Sequence, residues 1–145
     1  MRPIVWMLAA ICLGTAAEEP DLLAKADVVA AIKETWNYSS GGRSRFEVSF
    51  RLDGNPSAYR LIVTPPNHQF RHHTVPIIPG VTFAIFHVHT DGSNPVPSPA
   101  DRTIADQYKL KIYTIHIRGL YEYDPATRRT TKLRDGIAWM ERPIR

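Results

Sequence analysis

The chain has 145 residues, with 18 Lys or Arg against 14 Asp or Glu, a formal charge of +4 and a single cysteine. That length suits one domain with a modest core and excludes a multi-domain assembly. The basic excess is small and scattered, so the composition predicts no nucleic-acid partner.

Met1 and Arg2 precede an apolar run at residues 4–13, and Gly14-Thr15-Ala16-Ala17 follow before Glu18 and Glu19. A positive start, a short apolar stretch and a small-residue cleavage site read as a secretory signal over residues 1–17. The run falls short of the roughly 20 residues that span a bilayer. The expected mature domain is therefore 18–145, secreted or periplasmic, with no membrane contact once the signal is removed. Its 17 basic and 14 acidic residues leave a charge of +3. Cys12 departs with the signal, and Ile11 before it is bulkier than a lipoprotein anchor site wants. The mature chain then offers no disulfide, no thiol nucleophile and no thiolate ligand.

Asp21 to Trp36 predicts a helix, because Leu22, Leu23, Ala26, Val29, Ala30 and Ile32 recur at helical spacing and Asp21 can cap it. Turn residues from Asn37 to Gly42 end it. The period then changes to two. Phe46, Val48, Phe50 and Leu52 alternate with Glu47, Ser49 and Arg51, which predicts a half-buried strand. A turn at Asp53–Pro56 and a second strand at Tyr59–Thr64 complete a hairpin. Residues 65–80, rich in Pro and His, read as a loop. Val81–His89 is apolar on both faces and predicts a central strand. After the Pro-rich stretch Thr90–Pro97, Ser98-Pro99-Ala100-Asp101 opens a helix running to about Leu110. Two strands follow at Lys111–Ile117 and Gly119–Tyr123, then a turn at Asp124–Thr127 and a short strand within Thr130–Met140. The fold class is α+β, one domain with a mixed central sheet flanked by helices.

The chemistry concentrates in His87-Val88-His89. Side chains two apart on a strand share a face, so both imidazoles project together and form half of a zinc site. The plainer alternative is a pair of strand-end histidines bonded to loop backbone. A third ligand is available in Asp101, on the first turn of the next helix. Ser98, three residues earlier, can donate to a developing oxyanion. Ser-Pro-Ala-Asp is also a good capping motif, and one residue can cap and ligate together.

Phe86-His87-Val88-His89, eight intervening residues and Ser98-Pro99-Ala100-Asp101 resemble the HxH…SxxD signature of the JAB/MPN (JAMM) metalloproteases. The likeness is strongest to an uncharacterised bacterial JAB-like branch seen in Rhs-type toxin proteins, and it covers roughly residues 21–125. The order agrees: a helix, then the strand bearing Glu47, then HxH and SxxD. The resemblance implies Zn²⁺ held by His87, His89 and Asp101, with Glu47 as general base and Ser98 as oxyanion donor. It further implies an enzyme, a zinc metallopeptidase acting on peptide or isopeptide bonds of a peptide or protein substrate. The chain departs from the family pattern in three places. The His-to-Ser gap is one residue longer, Thr90 replaces a proline, and Val48-Ser49 replaces a Gly-Gly. Glu47 also has the reading of a solvated strand glutamate, with Glu34 as the fallback base.

Two other readings stay open. A JAB-like domain that has lost catalysis would serve as a binding or immunity-type module. Residues Phe86–Ser93 also resemble the first motif of PHP-type metal phosphoesterases, but the 56 residues after His89 hold one histidine, His116, too few for that barrel's ligands. Asp91, two after His89, would begin an HxHxD motif, which fails because Gly92 stands where it needs His. His68, His72 and His73 read as solvated loop residues and His116 as a satisfied sheet histidine. Tyr108, Tyr113, Tyr121 and Tyr123 read as packing.

Overall fold

The computed structural model describes residues 20–44, 46–66 and 74–141. The signal segment with Cys12 and the loop histidines His68, His72 and His73 lie outside the described residues. Strands β1 (Ser49–Asn55), β2 (Ala58–Thr64), β3 (Thr82–Val88), β4 (Lys111–His116), β5 (Gly119–Asp124) and β6 (Arg129–Asp135) form one sheet in the order β2-β1-β3-β4-β5-β6. Every neighbouring pair is antiparallel except β3–β4. A parallel pair needs a crossover, and helix α2 (Pro99–Tyr108) supplies it. Helix α1 (Ala26–Tyr38) precedes the sheet. The α+β class and the central place of β3 agree with the sequence reading.

Strand alternation sorts the side chains onto two faces. Phe50 and Leu52 of β1, Ala84, Phe86 and Val88 of β3, and Tyr113 and Ile115 of β4 pack with Val28, Ile32 and Trp36 of α1. The Phe86 ring lies between Phe50 and Tyr113, with centroids 4.6 and 4.2 Å away and the planes nearly parallel. These three rings are register partners across β1, β3 and β4. Burying each stabilises the sheet by roughly 1.5–3 kcal/mol. On the opposite face Ile85, Ile112 and Tyr123 meet Ala105 and Leu110 from the α2 segment.

Two boundaries move, and one strand is buried more fully than its pattern suggests. Asp21 caps only a short 3₁₀ turn at Leu22–Ala24, accepting the Leu23 N–H at 2.9 Å. Lys25 is extended and breaks the helical path, so α1 starts without a side-chain cap. The hairpin turn is Pro56-Ser57, not Asp53–Pro56, because the Asn55 side chain accepts the N–H groups of Ser57 and Ala58. Strand β1 is buried on both faces, not one. It is an interior strand, and its polar face is neutralised internally: Arg51 donates from Nε and Nη2 to the Asp53 carboxylate at 3.0–3.1 Å. Thr82 Oγ1 donates to the same carboxylate at 2.7 Å.

Burial alone would raise the Asp53 carboxyl, but the bonds from Arg51 and Thr82 hold it below the ordinary aspartate value. Asp53→Asn leaves the buried Arg51 without its anion, so a loss of about 3–5 kcal/mol is expected at neutral pH. Because the folded carboxyl titrates low, its contribution is complete above the unfolded value of about 3.9 and fades as pH falls through the folded one. Urea titrations of parent and variant should therefore converge below about pH 4. A gap that stays constant down to strongly acid pH would contradict this assignment.

Candidate metal centre

The register of β3 builds the site. His87 faces Ser49 on β1 and Thr114 on β4. Carried two residues further, the same register sets Glu47 and His116 on either side of His89, and two bonds support it. Val88 N–H donates to Val48 O at 2.9 Å, and His89 N–H donates to Ile115 O at 3.0 Å. All these side chains share the face that α2 covers, opposite the aromatic stack.

Asp101 closes the group from α2. The Ser98 hydroxyl accepts the Asp101 N–H at 3.1 Å, and the Ser98 N–H donates to Asp101 Oδ2 at 2.7 Å, a complete capping box. Pro99 fixes the first helical position, so the carboxylate is held before any ligand arrives. Its Oδ1 lies 3.6 Å from His87 Nε2 and its Oδ2 3.6 Å from His89 Nε2. The two imidazole rings are 4.8 Å apart and perpendicular.

These separations decide between a hydrogen-bonded cluster and an ion site. At 3.6 Å neither pair is a hydrogen bond. A tetrahedral ion with bonds of about 2.0–2.1 Å spaces its donors roughly 3.4 Å apart; the two imidazole–carboxylate separations are close to that, and the three ligand atoms, one per residue, lie within 4.8 Å of one another. His87 Nε2 is buried and has no hydrogen-bond partner, a costly state for a polar atom that expects none. His89 Nδ1 contacts Asn94 O at 2.7 Å. An Nδ1–H donated there leaves the Nε2 lone pair facing Asp101, the outer-shell arrangement that metal-binding imidazoles use. His87, His89 and Asp101 can thus bind a metal ion. They are the only such group of three among the described residues.

The charges agree with that arrangement. Burial would raise Asp101, yet His89, the charge of His87 and the bonds from Ser98 hold it well below the usual carboxylate range. Burial would lower His89, but Asp101 and the Asn94 carbonyl raise it.

Glu47 is not in the strand proper but two residues before β1, partly buried on the histidine face. It is therefore not the solvated strand glutamate of the alternative reading. Its Oε2 lies 3.9 Å from His87 Nδ1, the ring nitrogen away from Asp101. Burial raises its carboxyl, and proximity to His87, then the charge of His89, more than offsets this and lowers it. Glu34 is exposed on α1 and belongs to no ligand-capable cluster among the described residues, and Asp91 is exposed beyond the His strand.

His116 was expected to be satisfied, and only half of it is. Its Nδ1 accepts the Arg118 N–H at 3.1 Å, while Nε2 is buried without a partner. Burial, then the positive charges of His89 and Arg118, lower its pKa. Thr114, unremarked in the sequence, donates to Pro95 O at 2.6 Å and with His89 pins the 90–97 loop over the site. Both follow from β4 lying parallel to β3, a pairing that no local signal carries.

No family model matches the chain, and no curated protein or solved structure matches it significantly.

Addition of Zn²⁺ or Co²⁺ to the metal-free protein should raise its melting temperature, with about 2.7 kcal/mol of stabilisation at a hundredfold excess over Kd. Co²⁺ should show the visible absorption of a four-coordinate site. Asp101→Ala should abolish both effects. Unchanged absorption in the variant would place the ion elsewhere.

Proposed function

We propose that this domain is a secreted or periplasmic zinc-dependent hydrolase of peptide or isopeptide bonds, of the JAB/MPN type that its HxH and SxxD motifs resemble. The observation that carries the reading is the set of two imidazoles and a carboxylate at ion-sharing distances, with His87 Nε2 buried and unpartnered.

His87, His89 and Asp101 would hold the ion. When bound, zinc acts as a Lewis acid that makes water nucleophilic near neutral pH. The remaining work belongs to the chain. Glu47, ionised and beside the histidines, accepts the proton of the attacking water and returns it to the leaving amine. Ser98 uses its oxygen to accept the Asp101 N–H, so its own O–H is available to donate to the oxyanion of the tetrahedral intermediate. The Asn94 carbonyl keeps the His89 ring in its orientation.

A second reading has one observation in its favour. Glu47 approaches His87 through Nδ1, where a carboxylate orients a metal-binding imidazole without touching substrate. The domain would then be a metal-stabilised binding module. Glu47→Gln separates the two. As a general base, its loss should cut kcat on a peptide library by about 10²–10⁴-fold while zinc content stays near stoichiometric. As an orienting group, its loss should weaken zinc about 10–100-fold instead. A parent protein that takes up no metal would sink the hydrolase itself.

A further inference from the structure

Beyond the carboxyl ends of β3 and β4 lies an open cavity of about 570 Å³. Trp36, Ile117 and Ile137 give it apolar walls, and Arg43 and Asp91 bring opposite charges to it. Ligands of sheets with parallel strands bind beyond such strand ends, and this is the only parallel pair among the described strands. Asp91 comes two residues after His89, and Ile117 directly after His116. Two of the lining residues therefore continue the strand ends that carry the metal centre, and the rest of the wall comes from α1, the loop after it and Ile137.

The wall is closely fitted. Ser39 donates its hydroxyl to Trp36 O at 2.6 Å and accepts the Gly42 N–H at 2.9 Å. Ser40, Gly41 and Gly42 all adopt left-handed backbone, which the two glycines enter freely and which costs energy only at Ser40. A Cβ on Gly42 would lie 3.1 Å from the Trp36 ring and 3.4 Å from the His89 carbonyl oxygen. The loop thus sits between the indole and the backbone of a metal ligand. The Asp91 N–H donates to Gly42 O at 2.7 Å and ties the segment after His89 to the same wall.

The charges are left for a ligand. Arg43 Nε donates to Ser40 O at 3.0 Å, which aims the guanidinium, and no described residue takes its remaining N–H groups. No described residue pairs with the Asp91 carboxylate, and the two charges do not pair with each other. A cation and an anion over an apolar floor complement the zwitterion of an apolar α-amino acid. The volume suits one or two residues.

We propose that this cavity binds the C-terminal apolar residue of a peptide. Its α-carboxylate meets Arg43, its side chain lies against Trp36 and Ile117, and its nitrogen faces Asp91. The inference rests on the hydrolase reading for its catalytic half. There, water adds across the last peptide bond: the carbonyl carbon takes the hydroxyl, the C–N bond breaks, and the nitrogen leaves with the proton. The released amino acid is then the zwitterion that Arg43 and Asp91 complement, and the enzyme works from the carboxyl terminus.

The test uses L-leucine, L-leucinamide and N-acetyl-L-leucine as probes, followed through the Trp36 indole NMR signal in the parent and in Asp101→Ala, which lacks the metal site. Leucine should shift the signal in both proteins. Leucinamide, without a carboxylate, should bind about tenfold or more weakly, and Arg43→Ala should erase that preference. Asp91→Asn should weaken leucine but leave N-acetyl-leucine unchanged. In zinc-loaded parent, peptides ending in a free leucine should be cleaved about tenfold or more faster than their amides. No shift with leucine, or equal binding of acid and amide, overturns the proposal. Internal cleavage with no preference for a free terminus overturns it while sparing the hydrolase. Leucine binding by a parent protein that takes up no metal would sink the hydrolase and leave the amino-acid site standing.

Discussion

The Asp101 carboxylate takes the Ser98 N–H with Oδ2, and that same oxygen faces His89 while its partner oxygen faces His87. A capping box is worth roughly 1 kcal/mol to a helix whether or not anything binds beyond it. Here that local stabilisation also sets the third ligand, so the start of α2 and the metal centre cannot vary independently. The helix N-terminus adds a favourable field for the negative charge. Serine at the cap, proline at the first position and aspartate at the third are what the helix needs, and they deliver the carboxylate to the histidine strand already oriented.

The strand that carries the histidines is held from its other side. Phe86 is fixed in a three-ring stack across β1, β3 and β4 against α1, and its neighbours in sequence, Ile85 and His87, are thereby directed to the α2 face. A one-residue slip of β3 would bring the imidazoles into the apolar face and Phe86 out of it. The aromatic stack therefore guards the register on which the ligand geometry depends. The 90–97 loop, which carries no periodic structure of its own, is fastened by side chains of the site: His89 to Asn94 O and Thr114 to Pro95 O. It needs no rigid backbone because its two ends and its middle are all tied.

The features legible in the sequence were those with a short-range cause. Alternation places His87 and His89 on one face wherever the strand lies, and Ser98-Pro99-Ala100-Asp101 announces a helix start from four consecutive residues. What the sequence did not disclose depends on partners distant along the chain. Arg51 looks like the wet face of a half-buried strand and Asp53 like a turn residue, yet they neutralise one another and are buried. Asp21 looks like the cap of a long helix, yet the extended Lys25 separates it from α1. His116 and Thr114 join the site only because β4 pairs parallel to β3, whereas Glu47, named by the family resemblance, is brought beside the histidines by β1 entering antiparallel on the other side. Each is a consequence of register, which only tertiary packing decides.

The charge balance of the face argues for what the site is made to hold. Glu47 and Asp101 are both pulled down despite burial, so two negative charges persist where desolvation opposes them. A cation held between them would offset those charges, with both histidines presenting lone pairs to it. His116, whose pKa is lowered on the same face, is suited to remain neutral beside such an ion and adds no repulsion to it. Asp91 also acts on His116, whose pKa its charge raises against the lowering by His89, so the charges of the cavity and of the metal face are coupled.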